Sequence, residues 1–133
     1  MKYYLDTNII IYALNGRFPQ VMSHFQKIPS MSIVIPTVVL AEIEYGARKS
    51  HDYSSTIDLY KKFVGYFKTE GFSDIAAEYY GIIRAELEKA GQPIGANDML
   101  IAATAMSADG ILVTHNIKEF SKISGLKIED WTE

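Results

Sequence analysis

The fold is decided by residues 2–14, KYYLDTNIIIYAL, in which the backbone pattern changes at a single carboxylate. Lys2–Leu5 carries aromatic residues that favour β-structure, so this segment predicts a short strand. Thr7–Leu14 contains three consecutive isoleucines and predicts a short buried helix, which Asn15-Gly16 would end. A strand followed at once by a helix is the unit from which parallel α/β sheets are built, and Asp6 stands at the junction.

The same alternation of apolar strands and helices continues along the rest of the chain. Further strands are predicted at Ser32–Ile35, Phe67–Phe72, Ile111–Val113 and Leu126–Trp131. Further helices are predicted at Phe18–Ile28, at Thr37–Lys49 with Thr37 as its cap, at Tyr53–Phe67, after the capping residue Ser73, and at Ala96–Met106. This order predicts one three-layer α/β/α domain with a mostly parallel sheet, formed by residues 1–133.

Composition places the chain among ordinary globular proteins. Of its 133 residues 48% are hydrophobic and 22% are charged, and no apolar run approaches the length of a membrane span. Cysteine is absent, which excludes disulfides, thiolate zinc sites and a cysteine nucleophile. The N-terminus lacks the apolar core of a signal peptide, so we expect a cytoplasmic protein. With a formal net charge of −3, a polyanion would have to be held by metal and a local basic patch.

Four acidic residues lie in separate apolar stretches of the sequence: Asp6, Glu42, Asp98 and Glu119. Asp6 ends the first predicted strand, and Glu119 closes the segment that follows the strand Ile111–Val113. Asp98 opens a nearly all-apolar helix, and Glu42 lies one to two turns into a helix that follows a strand. Because ligands of open parallel sheets bind beyond the carboxyl ends of the strands, all four side chains are expected at one edge of the sheet.

Four carboxylates at one edge repel one another, and each is unstable among apolar residues unless something pairs with it. A divalent cation such as Mg²⁺, or Mn²⁺ in its place, relieves both problems and suits phosphodiester hydrolysis. The acids therefore predict a metal-dependent nuclease that leaves a 5′ phosphate and a 3′ hydroxyl. We expect Asp6 and Asp98 to contact the metal directly, and Glu42 and Glu119 to complete the site directly or through water.

Polar residues beside the acids are candidates for positioning the scissile phosphate or water. We expect Thr114 and His115 to position the phosphate and Asn8 or Asn116 to order water. The hydroxyls of Thr7 and Thr114 stand at strand ends, where they could orient a carboxylate. For His115, a surface position is the simpler interpretation.

Each acid also has a simpler interpretation when it is taken alone. Asp6 could be a helix N-cap or part of an Asx turn, and Asp98 could cap its helix. Glu119 could pair with Lys118 or Lys122. The convergence of four acids at one sheet edge favours the metal site over four separate coincidences.

Glu42 and Glu44 share one predicted helix but differ in their surroundings. Glu42 falls among Val39, Leu40 and Ile43, so its side chain needs a partner. Glu44 has more polar neighbours and is expected to be exposed.

Four segments carry a resemblance to a known family: residues 5–8 (LDTN), 40–46 (LAEIEYG), 96–102 (ANDMLIA), and 113–116 (VTHN) followed by Glu119-Phe120. In this order and spacing the chain resembles a PIN-domain ribonuclease, and more narrowly a VapC-type toxin of a toxin–antitoxin pair. The resemblance covers essentially the whole chain. It implies a parallel α/β/α domain in which Asp6, Glu42 and Asp98 are the three central acids.

The resemblance also implies a cofactor and partners. These are Mg²⁺ or Mn²⁺, an RNA substrate for which transfer RNA is a candidate, a homodimer, and a VapB-type antitoxin encoded by a neighbouring gene. Some PIN domains carry an aspartate where this chain has Asn116, so the fourth acid must here be Glu119. For self-association, the helices around Phe18–Ile28 and Tyr45–Phe67 are expected to expose apolar residues.

Three other classes of function share some of these sequence features. A haloacid-dehalogenase-like enzyme needs a second aspartate where Asn8 stands, and a response-regulator receiver needs adjacent acids after its first strand, so both are disfavoured. The main alternative is a catalytically inactive PIN-like module that binds RNA or protein. Such modules usually lose one or more acids, whereas this chain keeps all four.

Overall fold

A computed structural model describes residues 1–133 and contains one sheet of five strands. The strands are β1 (Tyr3–Leu5), β2 (Ile33–Pro36), β3 (Lys68–Glu70), β4 (Ile111–Val113) and β5 (Lys127–Glu129). They are all parallel and follow the order β3-β2-β1-β4-β5. The first strand therefore lies at the centre, where Tyr4 is paired with Val34 of β2 on one side and Leu112 of β4 on the other.

Seven helices connect these strands. They are α1 (Thr7–Asn15), α2 (Pro19–Lys27), α3 (Thr37–Lys49), α4 (Tyr53–Val64), α5 (Asp74–Lys89), α6 (Ala96–Ser107) and α7 (Ile117–Phe120). The chain moves outward from β1 through β2 to β3, and then returns to place β4 and β5 on the other side of β1. Because parallel crossovers have one hand, this reversal puts helices on both faces of the sheet. The expected three-layer α/β/α architecture is confirmed.

The predicted alternation of elements is confirmed, but two short elements were missed. These are the 3₁₀ turn Ser30–Ser32 and the four-residue helix α7. Both are too short to repeat a helical pattern, so the periodicity of the sequence could not predict them. Helix α4 also ends at Val64, before the predicted boundary at Phe67. Gly65 is its C-cap residue.

The prediction that Thr37 caps α3 is wrong. Pro36 is the N-cap residue, in an extended conformation, and Thr37 is already the first helical residue. The hydroxyl of Thr37 instead donates to the carbonyl oxygen of Glu70 at 2.9 Å. It therefore ties the start of α3 to the end of the edge strand β3.

The core lies between the sheet and its helices, and α6 is its most buried helix. Its run from Ile101 to Ala105 is buried, which confirms the prediction of a central helix. Near the C-terminus Trp131 is fully buried, and its indole N–H donates to Oε1 of Glu129 at 3.0 Å. None of the seven helices combines the length and apolar character that a membrane span requires.

Gly110 approaches Tyr4 too closely for any side chain. A Cβ atom at this position would lie 2.4 Å from Cε1 of Tyr4 and 3.2 Å from the carbonyl oxygen of Lys2. The ring cannot yield, because it is fully buried and its hydroxyl donates to Oε2 of Glu70 at 2.6 Å. We expect Gly110→Ala to lower the free energy of unfolding by about 1–3 kcal/mol, measured by urea denaturation.

Gly81→Ala in α5 is the matched control. A Cβ atom there meets nothing within 4 Å, so this change should be neutral or stabilising, since glycine is a poor helix former. Equal effects of the two substitutions would contradict the packing of Gly110 against Tyr4.

Candidate active site

The site begins at the crevice between β1 and β4. These strands are neighbours, but β1 leads to β2 on one side and β4 leads to β5 on the other. Such a reversal opens a crevice at the carboxyl ends of the two strands. Asp6 follows β1 and its backbone N–H donates to the carbonyl oxygen of Val113 at 2.9 Å. Thr114 follows β4 and its hydroxyl donates to Oδ2 of Asp6 at 2.8 Å.

Asp6 is almost completely buried, with 6% of its surface exposed. Its Oδ1 accepts the backbone N–H of Thr7 at 2.8 Å, so Asp6 is also the N-cap of α1, as its simpler interpretation predicts. Burial raises the pKa of Asp6, and the negative charge of Glu42 adds to the rise, while the hydrogen bonds from Thr114 and Thr7 oppose it. The Asp6 carboxylate is therefore fixed by two hydrogen bonds, but its negative charge is not balanced by a cation.

Glu42 reaches the same crevice from the second turn of α3. Its Oε1 accepts the hydroxyl of Thr7, and Nδ2 of Asn97 lies 3.4 Å from its Oε2. The prediction that Glu42 needs partners is therefore confirmed. Sequence reasoning missed Asn97, although its place beside Asp98 was an available signal. Thr7 joins two acids, since its backbone contacts Asp6 and its side chain contacts Glu42.

Asp98 is the third residue of α6, and the interpretation of Asp98 as a helix cap is wrong. The N-cap of α6 is Gly95, and no side chain caps this helix. Burial raises the pKa of Asp98 to about 6, with further contributions from the charges of Asp6, Glu42 and Glu119. The charges of the three other predicted acids therefore all act on Asp98, which fits their expected convergence.

Glu119 differs from the other acids because it has a cationic partner. It lies in α7, and its Oε2 is 3.1 Å from Nζ of Lys122, one of the two lysines proposed from the sequence. Asp6, Glu42 and Asp98 form no ion pair. Of the seven ion pairs of the protein, only the one between Glu119 and Lys122 involves any of the four acids. Three uncompensated carboxylates thus form the acidic centre.

Glu44, on the same helix as Glu42, is directed to other partners. It pairs with Arg48 at 3.5 Å and accepts the hydroxyl of Tyr53. Its side chain is 43% exposed, which agrees with the expectation from its polar neighbours.

Among the positioning residues, Thr114 is the most firmly placed. It is buried, and in addition to its bond with Asp6 its Oγ1 accepts the backbone N–H of Asn116 at 3.0 Å. The predicted role of Thr114 in orienting a carboxylate fits this contact. Asn8 is exposed on the first turn of α1. The roles of Asn8 and Asn116 toward water stay predictions.

His115 is held by the C-terminal segment. Its Nδ1 lies 2.9 Å from Oδ2 of Asp130 and 3.1 Å from Oγ1 of Thr132. Partial burial opposes ionisation of Asp130, but hydrogen bonds from His115 and Thr132 keep its pKa below the usual range. The imidazole is therefore oriented by partners that sequence reasoning missed. Its contact with phosphate stays a prediction.

A comparison against known protein families gives a match over most of the chain. The PIN-domain profile matches residues 3–126. The chain belongs to the PIN-domain family. Residues Asp6, Glu42, Asp98 and Glu119 all lie within the matched range.

Relatives of this PIN domain are VapC proteins. Ribonuclease VapC2 of Rickettsia felis is 39% identical over 132 residues, which cover 98% of each chain. The tRNA(fMet)-specific endonuclease VapC of Shigella flexneri is 36% identical over 132 residues and 99% of each chain. The solved structure of VapBC2 from Rickettsia felis bound to a DNA fragment from their promoter superposes with a TM-score of 0.91. It shares 38% identity over 98% of this chain and 99% of that one.

The acidic centre of this PIN domain suits a hydrated ion. No group of three or more His, Asp or Glu side chains is positioned to hold a bare ion directly. Mg²⁺, however, usually keeps several waters and takes only one or two carboxylates. Asp6, Glu42 and Asp98 supply oxygen ligands without a competing lysine or arginine, and the cleft beside Asp98 is open to solvent. The donor set therefore fits a divalent cation that is bound partly through water.

The pKa of Asp98 makes the metal-free stability of this PIN domain depend on pH. Its value rises from 3.8 to about 6 on folding, so the folded protein binds this proton more tightly. Stability is therefore expected to fall as pH rises from about 4 to 6. Asp98→Asn should raise the melting temperature in EDTA above pH 6 and have little effect near pH 4, measured by differential scanning fluorimetry.

Glu44→Gln is the control for this experiment, because Glu44 lies outside the acidic centre and already has a cationic partner. It should show no gain above pH 6. An Asp98→Asn variant that is less stable than the parent at pH 7 without metal would contradict the proposed repulsion.

Proposed function

We propose that the chain is a metal-dependent endoribonuclease and the toxin component of a VapBC-type toxin–antitoxin module. The observation that carries this proposal is the grouping of Asp6, Glu42 and Asp98, of which Asp6 and Glu42 share the partner Thr7 while Glu42 and Asp98 line one open cleft. Full-length identity with proteins named ribonuclease VapC supports the reaction class. Residues 1–133 would act as one catalytic domain.

The three residues of the acidic centre and Glu119 are assigned roles in metal binding. Asp6 and Asp98 would bind the metal directly, and Glu42 and Glu119 would bind it directly or through water. Thr114 and Thr7 occupy one lone pair on each oxygen of Asp6, which leaves a further lone pair on each oxygen for an ion. When bound, Mg²⁺ supplies an acidified water as the nucleophile and neutralises charge on the phosphate.

The charge of the site makes binding of the RNA substrate depend on the metal ion. A protein with a net charge of −3 and an acidic centre repels a phosphate backbone. The scissile phosphate would therefore approach only when the carboxylates are neutralised by the ion. The same requirement makes chelation a direct way to stop cleavage.

Transfer RNA is the first candidate substrate. The relative from Shigella flexneri is named a tRNA(fMet)-specific endonuclease, and its identity to this chain extends over 99% of both. We therefore propose transfer RNA, the initiator included, as the class to test first. An inactive PIN-like binding module is the alternative, and the four acids argue against it.

Purified protein incubated with total RNA and Mg²⁺ should produce discrete cuts, which sequencing of the RNA ends will locate. Asp6→Asn should reduce the cleavage rate by about 100-fold or more, because it removes a charge that holds the ion. Excess EDTA should stop cleavage, and added Mg²⁺ should restore it. Full activity in EDTA would exclude the metal mechanism.

Glu42→Gln and Glu44→Gln form a matched pair on one helix. The first should impair cleavage strongly and the second should leave it nearly unchanged, because only Glu42 faces the acidic centre. Glu119→Gln should cost less than Asp98→Asn, since Lys122 already balances part of the charge of Glu119. An essential Glu44 would contradict this assignment.

An inhibitory partner is expected from the same electrostatics. Carboxylates without a cationic partner can bind an arginine or lysine side chain of another protein, and that side chain would exclude metal and RNA. The VapBC2 structure from Rickettsia felis supports a VapB-type partner for this chain. We propose that a small protein encoded beside this gene binds here through its C-terminal region.

A homodimer is proposed from exposed apolar side chains. Met22, Tyr45, Leu59 and Tyr66 are exposed on or beside the helices expected from the sequence. Helix α5 adds Ile75 and Ile82, which sequence reasoning assigned to no surface. These side chains offer candidate contacts for a second copy of the chain.

Co-expression with the neighbouring gene should yield a complex on size-exclusion chromatography with light scattering, and the complex should not cleave RNA. The isolated chain should elute as a dimer. A monomer that does not bind the neighbouring product would contradict the toxin assignment and would leave the nuclease assignment intact.

A further inference from the structure

A cavity of about 270 Å³ lies beside the acidic centre, between α1, α3 and α4. Thr7 and Glu42 line part of it; Glu42 belongs to the acidic centre, and the Thr7 hydroxyl donates to Glu42. Ile11, Ile43 and Ala47 contribute apolar walls. The cavity therefore adjoins the acidic centre.

The far part of the cavity carries hydroxyl groups on otherwise apolar walls. Ser50, Thr56 and Tyr60 line it, and the Ser50 hydroxyl already donates to the carbonyl oxygen of Ala47. Tyr60 forms no side-chain hydrogen bond within the protein, and burial raises its pKa. Its phenol therefore keeps its proton and offers an unused donor at the cavity wall.

The size of the cavity restricts its occupant. Pockets for small ligands have volumes of about 300–1,000 Å³, so this cavity of about 270 Å³ is slightly smaller than that range and has room for one small group. It suits a single planar group with polar edges and apolar faces. A nucleobase has this character, since its faces stack on aromatic and apolar side chains and its edges form hydrogen bonds.

We propose that this cavity binds one nucleobase of the RNA substrate, from a nucleotide next to the scissile phosphate. The proposal rests on the proposed ribonuclease function and names a base-binding site within it. Glu42 and Thr7 border both the cavity and the acidic centre, so a base here would align the adjacent phosphate with the carboxylates. Tyr60 would donate to the edge of that base.

An apolar side chain of a protein partner is the competing occupant. Such a side chain would leave the Tyr60 donor and the Thr56 hydroxyl without a use, whereas a base edge can pair with both. The walls therefore favour a base. A protein occupant becomes a distinct outcome of the experiment below.

Gly46 provides a way to fill the cavity without touching the acids. It lies in the middle of α3, lines the cavity, and has open space at its Cβ position, with no atom within 4 Å. Gly46→Leu should therefore fold and should stabilise the helix while occupying the space of the base. Gly81→Leu in α5 is the matched control, because its Cβ position is equally open and lies outside the cavity.

The probe is a short RNA oligonucleotide that contains the mapped cleavage site, tested intact and with one base removed on either side of the cut. Removing the base that enters the cavity should slow cleavage by the parent roughly tenfold to a hundredfold. Gly46→Leu should slow cleavage of the intact RNA by a similar factor and should be insensitive to removal of that base. Gly81→Leu should behave like the parent, and Tyr60→Phe should lose part of the base preference.

The outcomes separate this proposal from the proposed function. If the parent cleaves RNA and Gly46→Leu cleaves at the same rate, the base-binding site is wrong and the nuclease stands. If Gly46→Leu loses only binding of the neighbouring gene's product, the cavity belongs to that partner and the proposal is overturned. If the parent cleaves no RNA, both proposals fail. Mg²⁺ should raise the melting temperature of the parent and of Gly46→Leu by the same amount, because it binds only the folded acidic centre; this separates lost base binding from damage to that centre.

Discussion

The hydrogen bond from the hydroxyl of Thr114 to the carboxylate of Asp6 joins the fold to the site. It spans 2.8 Å between residues that follow two neighbouring strands, at the point where the strand order reverses. A carboxylate that is 6% exposed needs such a partner, because burial without hydrogen bonds is costly. The reversal of the sheet supplies that partner, and Thr7 supplies the second one from the first turn of α1.

The acids around Asp6 repel one another and lower the stability of the isolated chain, which fits the proposed binding of an ion or a cationic partner. Glu42 and Asp98 add negative charge without any lysine or arginine to balance it, and the pKa of Asp98 rises to about 6. Only Glu119 is paired, with Lys122. Natural proteins accept unfavourable local electrostatics where function requires it. The same unbalanced charge explains why metal, substrate and inhibitor would compete for one place.

Helix α3 connects the charged and apolar parts of the binding surface. Glu42 lies in the acidic centre, and Gly46, one turn later, lines the adjoining cavity. Glu44 lies between them in sequence and pairs with Arg48 outside both. The helical repeat therefore places the proposed metal ligand Glu42 and a wall of the proposed base-binding cavity on one face, while Glu44 lies at the surface. An enzyme that cleaves RNA next to a particular base would need both parts, because it must bind the charged phosphate and the neighbouring base at the same time.

The alternation of strands and helices and the four acids can be predicted from the sequence, because backbone periodicity and the apolar neighbours of a carboxylate are local properties. The position of those acids at one edge is also predictable, since the order of parallel strands constrains where their ends meet. The side chains that contact these acids depend on the tertiary structure. Asn97 reaches Glu42 across 55 positions, and His115 is held by Asp130 and Thr132 through a fold of the C-terminal segment. The cavity at Gly46 likewise requires three helices to meet. Such contacts depend on the packing of distant segments, which no local periodicity encodes.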